Sequence, residues 1–162
     1  MCNYIAMEST TNSPLAGLPG DVLLNLDQQL CFALYSTSLS MTKVYKPLLA
    51  QFKLTYPQYL VLLVLWEQDA LTVNALGQRL FLDSGTLTPL LKRLEKLDFI
   101  SRQRALDDER RVIVMLTSAG KKLREQALQV PIQVSCNTGC SLTEMRTLHH
   151  QLIKLRASLG KH

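Results

Sequence analysis

The periodicity of apolar residues changes repeatedly between Leu71 and Thr117. Val73, Leu76 and Leu80 recur at helical spacing and predict a helix over 72–80. Phe81-Leu82-Asp83-Ser84-Gly85 reads as a turn, with Asp83 or Ser84 as the cap of the next helix. That second helix, 84–97, carries Leu87, Leu90, Leu91, Leu94 and Leu97 on one stripe and Thr86, Thr88, Lys92, Arg93 and Lys96 on its other face. Phe99-Ile100-Ser101-Arg102 and the β-branched run Val112-Ile113-Val114-Met115-Leu116 predict two strands, joined by the charge-dense stretch 104–111. The pattern is a helix-turn-helix with a β-hairpin wing beside it.

The flanks read as helices. Residues 1–20, rich in Ser, Thr, Asn, Pro and Gly, have the character of a tail. A long helix is expected over 21–44, with Leu23, Leu26, Leu30, Leu34 and Met41 on one side and Cys31 in its middle. Tyr45-Lys46-Pro47 should end or kink it before a short helix to Phe52. Thr55-Tyr56-Pro57-Gln58 opens another helix whose Leu60–Trp66 segment is apolar all round, as expected of a core helix. Beyond the wing, Thr117 should cap a helix over 118–130, and 135–141 reads as a loop holding Cys136, Gly139 and Cys140. Ser141-Leu142-Thr143-Glu144 is a capping box opening the last helix. Its Leu142, Met145, Leu148, Leu152, Leu155 and Leu159 form a coiled-coil-like seam suited to a partner helix. The expected organisation is therefore a mainly α protein. A helical dimerisation region comprises 21–56 and 118–162, and a winged helix-turn-helix occupies 57–117.

Charge adds a partner to this picture. The chain has 162 residues and a formal net charge of +5, and its basic residues concentrate between Arg79 and Arg124. A basic cluster on a helix-turn-helix is the electrostatic footprint of a phosphate backbone. No run approaches the roughly 20 apolar residues of a membrane span, and no basic segment followed by an apolar core marks a signal peptide. A cytoplasmic location without membrane contact is expected, and with it reduced cysteines. The four cysteines are Cys2, Cys31, Cys136 and Cys140. Cys31 on an amphipathic helix is either a small core residue or a reactive thiol. Tyr35, one turn on, and Tyr45 and Tyr56 elsewhere could donate hydrogen bonds to a thiolate there. Cys136-x-x-x-Cys140 with His149-His150 is not a usual zinc-ligand spacing.

Several motifs narrow the class. Leu76-Gly77-x-x-Leu80, Ser84-Gly85-Thr86-Leu87-Thr88, Leu94-Glu95, and Asp108-x-Arg110 with Leu116-Thr117 and Gly120 resemble the MarR family of winged-helix regulators. Leu30-Cys31-Phe32-Ala33-Leu34-Tyr35, Tyr45-Lys46-Pro47-Leu48-Leu49, Thr55-Tyr56-Pro57-Gln58-Tyr59 and Leu82-Asp83-Ser84-Gly85-Thr86-Leu87-Thr88-Pro89 are similar to its organic-hydroperoxide-sensing branch, OhrR. Cys136 resembles the second cysteine of that branch's two-cysteine subclass. Where most of the family has glycine, this chain has Asp98, at a position expected to be left-handed.

The resemblance implies a non-enzymatic, cofactor-free repressor that binds a pseudo-palindromic DNA operator as a homodimer. The helix 84–97 would enter the major groove, with Ser84, Thr86 and Thr88 toward bases and Lys92, Arg93 and Lys96 on phosphates. Pro89 should distort its first turn or delay its start, since its ring crowds the Gly85 carbonyl. Arg110 would enter the minor groove at the wing, oriented there by Asp108, which could instead pair with Arg104. The same resemblance implies that an organic hydroperoxide oxidises Cys31, with Tyr45 and Tyr56 reaching the sulfur of the other subunit and Tyr35 beside the product. An inter-subunit disulfide to Cys136, or to Cys140 as the lesser candidate, would then release DNA. Two other readings remain open: a repressor released by a small phenolic or hydrophobic ligand with Cys31 inert, and a cysteine peroxidase.

Overall fold

The computed structural model describes residues 19–105, 108 and 111–160, with Asp21 described by its backbone alone. The chain divides into two compact units, Met1–Met41 and Thr42–His162.

In the first unit, helix α1 (Gly20–Leu23) is followed by a 3-10 turn (Leu26–Gln28) and the beginning of α2 (Leu30–Ala50). The single helix expected from residue 21 is therefore broken before Leu30. Local side-chain bonds explain the break: the Asp27 amide donates to the Asn25 side chain at 3.0 Å, and Gln29 Nε2 donates to the Leu23 carbonyl. Such bonds give the backbone an alternative to the helical ladder. Cys31 is consequently the second residue of α2, not a mid-helix residue. None of the described residues from 19 to 41 is buried.

In the second unit, α2 continues through Pro47 to Ala50 rather than ending there. Pro47 leaves one carbonyl without its ladder donor, while fully buried Leu49 anchors the last turn. Helix α3 (Tyr56–Glu67) starts where Gln58 Oε1 accepts the Thr55 amide at 2.9 Å. It buries Val61, Leu62, Val64 and Leu65, as its unbroken apolar run requires. Strand β1 (Leu71–Thr72) leads into α4 (Val73–Leu80), and α5 (Ser84–Lys96) follows the turn. Strands β2 (Ile100–Arg104) and β3 (Val112–Leu116) form the wing. The sheet is antiparallel in the order β1-β3-β2, with Leu71 and Arg102 both opposite Val114. The two residues of β1 are too few to show a period of two, so the apolar pattern does not predict this strand.

Leu76, Leu87, Leu91, Leu94, Ile100 and Val114 close the core of this segment against α3. Thr117 ties the wing to the next helix: its Oγ1 accepts the Gly120 amide at 3.0 Å and donates to the Asp98 carbonyl. A Cβ at Gly120 would stand 2.0 Å from the Phe99 carbonyl oxygen, so only glycine fits. Asp98 is left-handed, with φ of 60°, as expected from its place after α5.

Helices α6 (Ser118–Ala127), α7 (Gln129–Asn137) and α8 (Leu142–Leu159) complete the unit. The sequence pattern predicts a helix end near residue 130 and a loop over 135–141. Instead the chain stays helical to Asn137, with an interruption at Leu128. Pro131 explains the interruption, because it has no N–H for the Ala127 carbonyl, yet it is tolerated in the first turn of α7. Cys136 thus lies on the last turn of α7. The Ser141–Glu144 capping box forms as expected, with Glu144 Oε2 accepting the Ser141 amide at 2.8 Å. No residue of α8 is buried, and Leu148 and Leu152 are 51% and 45% exposed. Among the described residues, no helix is long and apolar enough to cross a membrane.

Candidate nucleic-acid interface and thiol sites

The helix-turn-helix is built by two caps and one close approach. The Thr72 hydroxyl accepts the Ala75 amide at 3.1 Å and starts α4. Phe81 ends α4 in the left-handed conformation, and the Leu82 amide closes back on the Gly77 carbonyl at 2.9 Å. A Cβ on Gly77 would meet the Leu82 carbonyl oxygen at 2.8 Å. Asp83 then caps α5, accepting the Thr86 amide at 2.8 Å and the Thr86 hydroxyl at 2.9 Å. These bonds, the backbone one foremost, hold the Asp83 carboxyl below the usual carboxylate range.

α5 presents Ser84, Thr86, Pro89, Lys92, Arg93 and Lys96 to solvent. It starts at Ser84 and passes through Pro89 without delay, unlike the expectation. Thr86 and Thr88 differ from simple donors: Thr86 Oγ1 donates to Asp83, and Thr88 Oγ1 to the Ser84 carbonyl at 2.6 Å. Their hydroxyl protons are held by the protein, leaving methyl groups and oxygen lone pairs for a ligand. Glu95, the carboxylate of α5, accepts both Arg102 Nε at 3.1 Å and Arg102 Nη2 at 2.5 Å. The Arg102 bonds keep its carboxyl low. No local pattern in the sequence marks this cross-element pair. Arg104 is exposed at the end of β2 and Asp108 is half-buried, its carbonyl accepting the Arg111 amide at 2.9 Å. Arg110 lies outside the described residues.

The cysteines stand in different surroundings. Cys31 and Cys136 are free and exposed; Cys140 is free and half-buried, its thiol directed at the Thr138 carbonyl at 3.6 Å. Tyr35 is 62% exposed. Tyr45 stacks on Tyr56 with ring centroids 4.4 Å apart, and lies 6.1 Å from Tyr59. Tyr59 was not singled out from sequence, although its position three residues after Tyr56 puts both on one helix face. Burial foremost, then Tyr56 and Tyr59, push Tyr45 up to about 12; burial also raises Tyr56 and Tyr59. The three phenols are therefore neutral O–H donors at physiological pH. Among the described residues, no group of three or more His, Cys, Asp and Glu side chains could hold a metal ion.

A capped helix-turn-helix, a cationic second helix and an antiparallel wing define a winged-helix DNA-binding regulator. The family model described as transcriptional regulator SarA/Rot matches residues 43–127, and the chain belongs to that family. It is 46% identical over 134 residues to the organic hydroperoxide resistance transcriptional regulator of Bacillus subtilis, covering 81% of this chain and 91% of that one. It is also similar to the solved structure of reduced AbfR bound to DNA, with a TM-score of 0.73, 38% identity, and 84% of this chain and 93% of that one covered; AbfR is a Staphylococcus epidermidis protein. The structure of disulfide-formed AbfR matches at a TM-score of 0.59 and 37% identity, covering 87% and 94%. The chain is thus a transcriptional regulator rather than an enzyme, as the motifs implied.

Proposed function

We propose that the chain is a homodimeric repressor that leaves its DNA operator when an organic hydroperoxide oxidises Cys31. The observation that carries this reading is the free, exposed Cys31 thiol in the first turn of α2, open to a peroxide from solvent. The Bacillus relative's name and the reduced and disulfide forms of AbfR support it. The Cys31 thiolate attacks the terminal peroxide oxygen; the O–O bond breaks, an alcohol leaves, and Cys31 becomes a sulfenic acid. The Cys136 thiolate of the other subunit then attacks that sulfur and expels water, so two thiols are oxidised and one peroxide is reduced. Exposure favours Cys136 over the half-buried Cys140 as the partner. Tyr45 and Tyr56 donate O–H bonds to the oxidised sulfur across the dimer, with Tyr35 beside it. The bridge draws on the helices of 21–56 and 118–162, which we assign to dimerisation, and so changes the spacing of the two 57–117 reading segments.

On DNA, α5 lies in the major groove. Lys92, Arg93 and Lys96 take phosphates, Ser84 donates, and the Thr86 and Thr88 methyls meet thymine methyls. Arg110 enters the minor groove, and Asp108 orients it or Arg104 by an ion pair. A second reading, release by a small hydrophobic ligand, draws on a cleft of about 210 Å³ lined by Tyr59, Leu63, Trp66 and Pro131.

DNA binding of Cys31→Ser with and without cumene hydroperoxide decides between them. The variant should stay bound under peroxide while the unsubstituted protein dissociates; dissociation of both would overturn the thiol mechanism. Non-reducing electrophoresis should show the peroxide-induced dimer band lost in Cys136→Ser and kept in Cys140→Ser.

A further inference from the structure

Glu95 is a carboxylate set among the cations of the proposed DNA face. Lys92, Arg93 and Lys96 surround it on α5, and with Pro89 and Arg102 these side chains line one shallow groove. An unpaired carboxylate there would repel phosphate. Arg102, from β2, answers it with two hydrogen bonds to a single oxygen, Oε2. The Arg102 and Glu95 side chains are 26% and 38% exposed, so each is partly withdrawn from water and the pair is screened less than a surface ion pair. The pair also joins two elements whose relative angle matters: α5 carries the recognition face, while β2 is a strand of the wing.

We infer that Glu95 and Arg102 form a positioning pair that sets the wing against the recognition helix and withholds the Arg102 charge from the DNA backbone. This rests on the DNA-binding reading above. Arg102 is then a brace, whereas Lys92, Arg93 and Lys96 are phosphate contacts. Glu95 accordingly limits binding to arbitrary sequence by keeping one guanidinium occupied.

The two roles differ in salt dependence, because each phosphate contact contributes about 0.9 to the slope of log affinity against log salt. The test measures Arg102→Gln, Glu95→Gln and the double variant, as full chains, against two duplexes: one selected by the unsubstituted protein from a random pool, and one of scrambled sequence. Arg102→Gln should weaken binding to the selected duplex about tenfold by exposing a carboxylate to phosphate, a repulsion that also flattens the salt slope. Glu95→Gln frees the guanidinium. It should tighten binding to scrambled DNA and steepen the slope by about 0.9 per subunit. The double variant carries neither charge, and should recover most of the affinity lost in Arg102→Gln together with the unsubstituted salt slope. A slope reduced in the double variant would make Arg102 a phosphate contact and overturn the inference. So would a double variant as weak as Arg102→Gln, or three variants that all bind like the unsubstituted protein. Should Arg102→Gln fail to fold, Arg102→Lys keeps the charge and loses the two-nitrogen grip; binding to the two duplexes that matches the unsubstituted protein would equally overturn the positioning role. If the unsubstituted protein binds no duplex, the DNA reading falls first and this inference with it. Failed coupling in a protein that binds DNA overturns the pair alone.

Discussion

The winged segment 71–117 and helix α8 are built from similar leucine stripes and end in opposite situations. In the winged segment, Leu76, Leu87, Leu91 and Leu94 are at most 1% exposed, and each described helix start has a capping side chain. α8 has an equally regular stripe and a complete capping box, yet it buries nothing. The first segment satisfies its apolar faces within one chain. The second does not, and a stripe at coiled-coil spacing left open in a single chain is what one half of a helix pair presents. The contrast teaches that a capped, amphipathic helix is locally complete whatever happens to its apolar face. Caps report where a helix begins, and burial reports what it is for.

Three variants probe this contrast. The largest effect is expected inside the closed segment. Gly120→Val places side-chain atoms where the Phe99 carbonyl already stands, and should cost about 4 kcal/mol or more. Thermal unfolding would show it, and a melting temperature within a few degrees of the unsubstituted protein would contradict the close approach. Next, Leu148→Glu with Leu152→Glu should leave the winged segment folded, with its helical circular dichroism retained. Sedimentation should then show a monomer, and operator affinity should fall by about 100-fold through loss of the second half-site. A dimer of unchanged affinity would place the subunit contact elsewhere. The smallest effect is a pH signature. Because the folded Asp83 carboxyl ionises below its usual range, it contributes stability that is present at neutral pH and fades as pH falls through the lowered value. Asp83→Asn keeps a capping oxygen without that charge. Its melting temperature should lie below that of the unsubstituted protein at pH 7, and the gap should narrow below about pH 4; a constant gap would mean the charge does not matter.

Much of the closed segment was legible in the sequence because its signals are local. The Asp83 cap, the Thr117 cap and the leucine stripe of α5 each lie within a few residues of what they act on. The misses came where a distant or competing bond decided the outcome. The break before Leu30 depends on Asn25 and Gln29 side chains diverting backbone groups. The continuation to Asn137 depends on Pro131 falling in a first turn rather than a last one. β1 exists only through its pairing with β3. Among site residues, the Cys31 and Cys136 positions were visible, but their helical setting was not: one moved to a helix start and the other from a loop to a helix end. The Glu95–Arg102 pair and the place of Tyr59 beside Tyr45 needed coordinates, since tertiary proximity leaves no periodic trace.

Among the described residues, four other than glycine hold left-handed backbones: Lys53, Ala70, Phe81 and Asp98, with φ between 57° and 60°. Each sits where one element hands over to the next, and each carries a conformational cost of about 1 kcal/mol that glycine would not. The molecule therefore keeps an untapped reserve of stability at its joints. A variant with glycine at Ala70 or Asp98 would offer a sturdier scaffold for engineering, and the native choice marks a protein held well short of its attainable rigidity.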